Sequence, residues 1–302
     1  MTDLTIIILT KNEEQNLNKC ISSLGSVAKR IVVIDSYSTD HTVDLAKSLG
    51  AEVYEHPFEN HAVQFNWALD NINLQTEWVM KVDADEEFTP ELVNEIREKL
   101  DTLSSNINGV ILRRRVYFMG RWIKHGGKYP ELLLRIFRVG HGRSEMKQMD
   151  EHLIITDGET VIFKNDFVDN NNKPLEWWIN KHNWYSNKEV LDHQMKTDAS
   201  NGKNNVEETS TSTQAKVKRF VKNHGYYSLP KFFRAHMYFI YRYYFRLGFL
   251  DGTEGKIYTF LQAYWYRYLV DAKLYECEKL GVKMKKQGAL EATVSKRGAN
   301  TE

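Results

Sequence analysis

Thr5-Ile6-Ile7-Ile8-Leu9-Thr10 is an unbroken aliphatic run with a threonine at each end. An apolar run without alternation marks a strand covered on both faces, the environment of a parallel sheet. Polar Lys11-Asn12-Glu13-Glu14 follows as a loop, and Leu17, Cys20, Ile21 and Leu24 then recur at helical spacing. Arg30-Ile31-Val32-Val33-Ile34-Asp35 repeats the pattern, a buried strand ending in an acid, with turn chemistry in Ser36-Tyr37-Ser38-Thr39-Asp40. Asp40 or Thr39 can cap a helix from Thr42 to Leu49, and Gly50 closes it. A third strand over Ala51–Tyr54, a helix over Ala62–Asn71 and a strand over Trp78–Val82 continue the series. Alternation of this kind to about residue 100 predicts a mostly parallel, Rossmann-like α/β sheet flanked by helices. Ligands in such sheets bind beyond the carboxyl ends of the strands. Thr10, Asp35 and Asp83–Asp85 all fall at such ends and are expected to share one crevice.

The fourth strand runs into a cluster of acids, Val79-Met80-Lys81-Val82-Asp83-Ala84-Asp85-Glu86-Glu87-Phe88. Like charges held close at the end of a buried strand repel one another and resist desolvation. A hard divalent cation, Mn²⁺ or Mg²⁺, relieves that strain by taking one or two carboxylates, with water and substrate phosphates completing its shell. Asp-x-Asp alone is a weak signal, because surface turns are rich in Asp; the strand before it and the acid at Asp35 strengthen it. Asp35 could accept hydrogen bonds from a base or ribose, and Asp83 and Asp85 could hold ribose and metal. No G-x-x-x-x-G-K-[ST] or G-x-G-x-x-G occurs, which argues against a P-loop enzyme or a typical dinucleotide enzyme.

Composition narrows the class further. With 302 residues, 42% of them hydrophobic, the chain can build one large domain, or one domain and an appendage. A net charge of +1 argues against a general nucleic-acid binder. Cys20 and Cys277 suggest neither a disulfide framework nor a zinc site and fit a reducing, cytoplasmic compartment. Met1 leads straight into a strand, so no signal peptide is expected, and no apolar stretch approaches the roughly 18–20 residues of a membrane span.

Three motifs, in this order and at this spacing, resemble the family-2 nucleotide-sugar glycosyltransferases of the GT-A fold. They are Ile8-Leu9-Thr10-Lys11-Asn12-Glu13, Val33-Ile34-Asp35-Ser36-Tyr37-Ser38-Thr39-Asp40 and Val82-Asp83-Ala84-Asp85-Glu86. Within that family the chain looks most like the lipopolysaccharide-core and capsule glucosyltransferases. That branch adds Tyr129-Pro130, Leu134-Arg135-Ile136-Phe137-Arg138, an acidic motif at Asp150-Glu151-His152, and Phe249-Leu250-Asp251-Gly252. The resemblance covers about 1–275, closely to residue 90 and more loosely beyond. It implies that Thr10, Asn12 and Glu13 line the nucleotide pocket, that Asp35 contacts uracil or its ribose, and that Gln64 and Asn66 face the nucleotide. Asp83 would sit by the ribose and Asp85 on the metal, with Asp83 a second candidate ligand. The catalytic base would be Glu151, with Asp150 as its rival, because the motif departs from the usual His-Glu. Transfer would invert the anomeric centre and use a UDP-linked donor, and the acceptor would be a growing cell-envelope glycan, lipid-linked or free.

Other signals stay open at this level. Arg135 and Arg138 could reach a diphosphate or pair with a local carboxylate, and Arg113-Arg114-Arg115 could grip a phosphate or simply alternate along a strand. His125-Gly126-Gly127 resembles an acceptor-side loop of the same branch, or is a plain turn. The expected organisation is a nucleotide-sugar half over 1–100, an acceptor-side half over 101–185, a polar linker over 186–215, an aromatic-rich helical region over 216–285 and a frayed tail over 286–302. Between Phe220 and Tyr275, aromatics are interleaved with Lys216, Lys218, Arg219, Lys222, Lys231, Arg234, Arg242, Arg246 and Arg267. Basic residues beside aromatics suit an in-plane helix on anionic lipid, placing the protein peripherally on the inner face of the cell membrane; a homo-oligomer interface is the alternative use. Two rival functions are a sugar nucleotidylyltransferase, disfavoured because Lys11-Asn12-Glu13-Glu14 is no Gly-rich loop, and a membrane-docked, non-catalytic glycan-binding protein. A glycoside hydrolase also pairs carboxylates but needs no Asp-x-Asp at a nucleotide crevice.

Overall fold

The computed structural model describes residues 1–146, 152–200 and 229–282, with side chains of the helix ending at Ser200 described to 195. Strand β1 (Thr2–Thr10) is followed by α1 (Leu17–Leu24), β2 (Ala28–Asp35), α2 (Thr42–Ser48), β3 (Glu52–Glu55), α3 (His61–Asn71) and β4 (Trp78–Asp83). Then come β5 (Glu86–Phe88), α4 (Pro90–Lys99), β6 (Ile107–Phe118), β7 (Arg121–Trp122), β8 (Glu131–Arg138), β9 (Gly142–Ser144), β10 (Leu153–Ile155) and β11 (Glu159–Asp169). A nine-stranded sheet has the order β3-β2-β1-β4-β8-β6-β11-β5, with β7 paired to β6. β3-β2-β1-β4 is wholly parallel, the arrangement in which the continuous apolar runs of β1, β2 and β4 are covered on both faces. Beyond β4 the sheet is mixed: β8 inserts antiparallel between β4 and β6, β11 returns parallel to β6, and β5 closes the edge antiparallel. This is the mostly parallel, helix-flanked sheet that the resemblance to the GT-A fold implies.

Strand β1 shows why an unalternating sequence is needed at the sheet centre. Leu4, Ile6 and Ile8 pack in one cluster with α1 and α4, whereas Ile7 and Leu9 pack in another with Phe65, Ala68 and Ile72 at α3. Successive side chains point to opposite faces, and both faces here are covered. Helix starts follow local chemistry. Thr89 caps α4 through Leu92 N at 3.2 Å with Pro90 in its first turn, and Asn60 caps α3 through Val63 N at 2.8 Å.

The chain divides into two compact units, Met1–Lys173 with Ile240–Thr259, and Pro174–Phe239 with Phe260–Glu302. In the first, Asp251 anchors the late segment: His125 N donates to Asp251 Oδ2 at 2.8 Å, and His125 Nδ1 donates to Oδ1 at 2.6 Å. Gly126 N donates to Arg246 O at 2.8 Å, and Arg242 Nε donates back to Gly126 O at 2.7 Å. Gly126 and Gly127 both have positive φ, at 67° and 71°, a turn that favours glycine. The His125-Gly126-Gly127 loop is therefore the socket for the Phe249–Gly252 motif.

In the second unit, α5 (Leu175–Ser200) packs through Val190 on Tyr266, Val270, Leu274 and Cys277 of helix Tyr266–Leu280. The helix continues through 186–200, part of the segment expected to be a linker; residues 201–215 lie outside those described. Several arginines expected to face lipid have partners within the protein. Arg234 is buried against Asp271, and Arg267 Nη1 donates to Glu189 Oε1 at 2.8 Å. In the first unit Arg242 is likewise buried. Low-polarity surroundings make an unpaired charge costly, so each has taken an internal partner.

Candidate functional site

Register brings the predicted acids together. Thr10 lies opposite Asp35 across β1 and β2, and Leu9 lies opposite Asp83 across β1 and β4. The carboxyl ends of three adjacent strands therefore deliver Thr10, Asp35 and Asp83 to one edge, with Asp85 in the turn immediately beyond.

The β1 and β2 ends are tied into one unit. Thr10 Oγ1 donates to Asp35 Oδ1 at 2.8 Å, while Ser38 N and Oγ donate to the same carboxylate at 2.7 and 2.6 Å. Asn12 N donates to Ser38 Oγ at 2.8 Å, and Thr39 N donates to Asn12 Oδ1 at 2.8 Å. Asn12 and Tyr37 both have positive φ, at 54° and 56°, so the paired loops turn back sharply where the strands end. Asp35 is 0% exposed. Its carboxylate is taken up by internal donors, Thr10 and Ser38, and braces the loop after β2, whereas the resemblance implied that it contacts uracil or its ribose. Gln64 Nε2 supports the same loop by donating to Ser36 Oγ and, at 3.2 Å, to Ile34 O.

Asn66 is also placed differently from expectation. Its Oδ1 accepts from Ser144 N and its Nδ2 donates to Ser144 O, both at 2.9 Å. An amide side chain offers both a donor and an acceptor, the pair an unpartnered strand edge requires. Asn66 thereby fixes β9, and the ladder with β10 continues to Glu145 N on His152 O at 2.8 Å. Asp150 and Glu151, the expected bases, fall between β9 and β10 and lie outside the described residues.

At the β4 end two of the four acids share one arginine, and the other two each meet an asparagine. Arg135 on β8 is buried; its Nη2 donates to Asp83 Oδ2 at 3.1 Å and also binds Glu86 Oε1. Asp83 N donates to Glu86 Oε2 at 3.0 Å. Asp85 Oδ2 accepts from Asn171 Nδ2 at 2.8 Å, and Glu87 Oε1 accepts from Asn170 Nδ2 at 3.2 Å. Of the two open readings of Arg135, pairing with local carboxylates is the one the structure adopts, and its guanidinium relieves the repulsion that the sequence alone assigned to a metal. Burial works against ionisation of Asp83, yet the charges of Arg135 and Lys81 hold its carboxyl well below the usual carboxylate range. Glu86 goes the other way: burial, with Asp83 and Asp85 adding to it against Arg135, pushes it up to about 8.

Sequence reasoning missed the segment that closes this edge, Asn170-Asn171-Asn172-Lys173 after β11. Lys173 Nζ donates to Glu13 Oε1 at 2.7 Å, and Asn16 Nδ2 donates to Glu13 Oε2 at 2.8 Å. Asn172 Nδ2 donates to Asn16 Oδ1 at 3.1 Å. Burial raises the Glu13 carboxyl above its usual range, against the pull of Lys173 and Asn16. Three consecutive asparagines at the end of a strand were the available signal.

Asp83 and Asp85 are both half-buried, and Asp83 keeps 38% of its side-chain surface open. Among the described residues no three His, Cys, Asp or Glu side chains converge as a ready-made cage. Two carboxylates, with phosphate oxygens and water completing the shell, is the usual way Mg²⁺ is held, so this donor set fits a hard divalent cation.

The family model described as glycosyl transferase family 2 matches residues 5–169, over half of the chain. An uncharacterised glycosyltransferase of Rickettsia typhi, RT0209, is 38% identical over 96 residues, 32% of this chain and 32% of its own length. The lipopolysaccharide core biosynthesis glycosyltransferase LpsC of Rhizobium meliloti is 34% identical over 161 residues, 51% of this chain and 58% of LpsC. The chain thus spans about a third of the Rickettsia relative and somewhat over half of LpsC. Among solved structures, S. aureus TarS 1–349 in complex with UDP-GlcNAc aligns over 94% of this chain and 93% of its own, at 12% identity and a TM-score of 0.46. The matched segment contains all three strand-end motifs and the acids they deliver: the chain belongs to glycosyl transferase family 2.

Proposed function

We propose that this chain is a metal-dependent, inverting glycosyltransferase that moves one sugar from a UDP-linked donor to a growing cell-envelope glycan. The observation that carries the reading is the register that sets Thr10, Asp35 and Asp83 side by side, with Asp85 just beyond. LpsC, by its name a lipopolysaccharide core biosynthesis enzyme, supports an envelope glycan as acceptor.

In this reading the loop braced by Asp35, Gln64 and Asn12 receives the nucleoside, with Thr10 and Glu13 on its wall. Asp83 sits by the ribose, and Asp83 and Asp85 would hold Mn²⁺ or Mg²⁺. When bound, the cation stabilises the charge that develops on the departing diphosphate. Arg135 keeps Asp83 ionised and fixed, so this carboxylate needs no reorganisation when donor arrives. The base, Glu151 or its neighbour Asp150, takes the proton from the acceptor hydroxyl as its oxygen attacks the anomeric carbon. No protein nucleophile is needed in a single inverting displacement. Screening nucleotide sugars for Mn²⁺-dependent hydrolysis tests the assignment: UDP-sugars should be cleaved in preference to other nucleotide sugars. Preference for another base moves the donor class, and no cleavage with any donor contradicts the reading.

Association with an anionic membrane surface belongs to the same proposal. No helix among the described residues is long and apolar enough to cross a membrane. Tyr244, Phe245 and Leu250 are 57%, 75% and 50% exposed, and Arg246 and Lys256 nearby are exposed as well. Exposed apolar side chains with cations close by in sequence suit a headgroup boundary. Because several other arginines have partners within the protein, the apolar tips rather than the charge carry this surface. The double variant Phe245→Asp/Leu250→Asp should abolish flotation with anionic liposomes, since burial of each side chain contributes on the order of 1.5–3 kcal/mol. Wild-type protein that fails to float at any ionic strength contradicts lipid docking and points to a subunit interface.

A further inference from the structure

Asn171 sits 86 residues from Asp85 in sequence, yet its Nδ2 donates to Asp85 Oδ2 at 2.8 Å. The contact is part of a tied assembly. Asn170 N donates to Asp85 O at 3.1 Å, which holds the main chain of the same acid. Lys173 N donates to Asn171 Oδ1 at 2.9 Å, so the amide cannot rotate to exchange its donor and acceptor ends without losing both bonds. Asn170 Nδ2 reaches Glu87, Asn172 reaches Asn16 and Lys173 reaches Glu13. One four-residue strap thus ties the turn after β4 to the loop after β1. Its root is fixed by β11, where Asp169 pairs with Glu86 and Val168 with Glu87.

We infer that Asn171 is a positioning residue for Asp85: it holds Oδ2 by N–H donation and so leaves Oδ1, in a fixed orientation, as the oxygen that would ligate the cation. The physical reason is rotational. Asp85 lies in a turn, is only half-buried and, among the described residues, has no guanidinium partner of the kind that fixes Asp83. A carboxylate free to rotate loses the orientation that ligation needs, and partners that orient metal ligands typically contribute about 10–100-fold in affinity. Asn171 acts only through Asp85, and its own oxygen already accepts from Lys173.

This inference rests on the proposed donor site, and one titration separates the two. The full chain is titrated with Mn²⁺ in the presence of UDP, and free Mn²⁺ is read by electron paramagnetic resonance. The expected result is that Asn171→Ala raises the Mn²⁺ dissociation constant at least tenfold while the melting temperature stays within a few degrees of wild type. Asn171→Asp has the same shape but replaces the donor with a second acceptor. It should weaken Mn²⁺ uptake at least as much; were residue 171 a direct ligand, the added carboxylate would tighten it. Wild-type affinity in Asn171→Ala, or tighter binding in Asn171→Asp, overturns the positioning role and leaves the donor site standing. Should the alanine variant not fold, the aspartate variant alone decides between positioning and direct ligation. If the wild-type chain takes up no Mn²⁺ with UDP, the donor-site reading falls and the inference falls with it.

Discussion

Asp85→Ala is expected to abolish sugar transfer and metal-dependent donor binding while leaving the fold intact. The side chain stands in a turn at the sheet edge, half-buried, and accepts a hydrogen bond from the Asn171 amide. Loss of one such bond costs about 0.5–1.5 kcal/mol, small beside the roughly 5–15 kcal/mol that holds a typical domain together. The functional loss is larger, because Asp85 and Asp83 are the only two carboxylates this reading gives to the cation. The variant should therefore show near-wild-type circular dichroism and melting but at least a hundredfold loss of transfer. Activity near wild type in Asp85→Ala, or full wild-type activity in EDTA, would sink the metal role.

Glu151→Gln is expected to lower turnover by at least two orders of magnitude with little change in donor affinity. A positioned base contributes about 10²–10⁴-fold, and a group that acts only in the transition state affects kcat rather than nucleotide binding. Glutamine is nearly isosteric, so stability should change little. The described residues on either side of 147–151 are tied together, since Asn66 grips Ser144 through both backbone groups and Glu145 pairs with His152. If Asp150→Asn proves the crippling change and Glu151→Gln does not, the base lies one residue earlier than proposed.

Much of the fold is legible in the sequence because buried parallel strands cannot alternate. Thr5–Thr10, Arg30–Asp35 and Trp78–Val82 each have to be covered on both faces, and their apolar content shows it. The placement of Thr10, Asp35 and Asp83 follows from that pattern together with the rule that ligands gather beyond strand carboxyl ends. Less visible is the antiparallel insertion of β8. Its pairing with β4 brings Arg135 to Asp83 across 52 residues, and no local pattern encodes a partner at that separation.

The same limit explains Asp35 and Asn66. Residue type identifies both as polar groups near the site, but type alone does not say whether a side chain faces ligand or backbone. Burial decides that, and burial is a tertiary property: Asp35 is taken up by Thr10 and Ser38, and Asn66 by Ser144. The aromatic and basic run after Phe220 is ambiguous for a related reason. Helical spacing reads alike for core and interface, and only the structure separates buried Arg234 and Tyr258 from exposed Phe245. Likewise, Asp251 reads in sequence as part of a late motif; its bidentate hold on His125 places it in the sheet unit.

The most direct test of the central claim is calorimetric titration of the wild-type chain with UDP, with Mn²⁺ and again in EDTA. The acids delivered at the ends of β1, β2 and β4 predict saturable UDP binding with Mn²⁺, weakened at least tenfold in EDTA. Absence of UDP binding under both conditions, or equal affinity in the two, would contradict it.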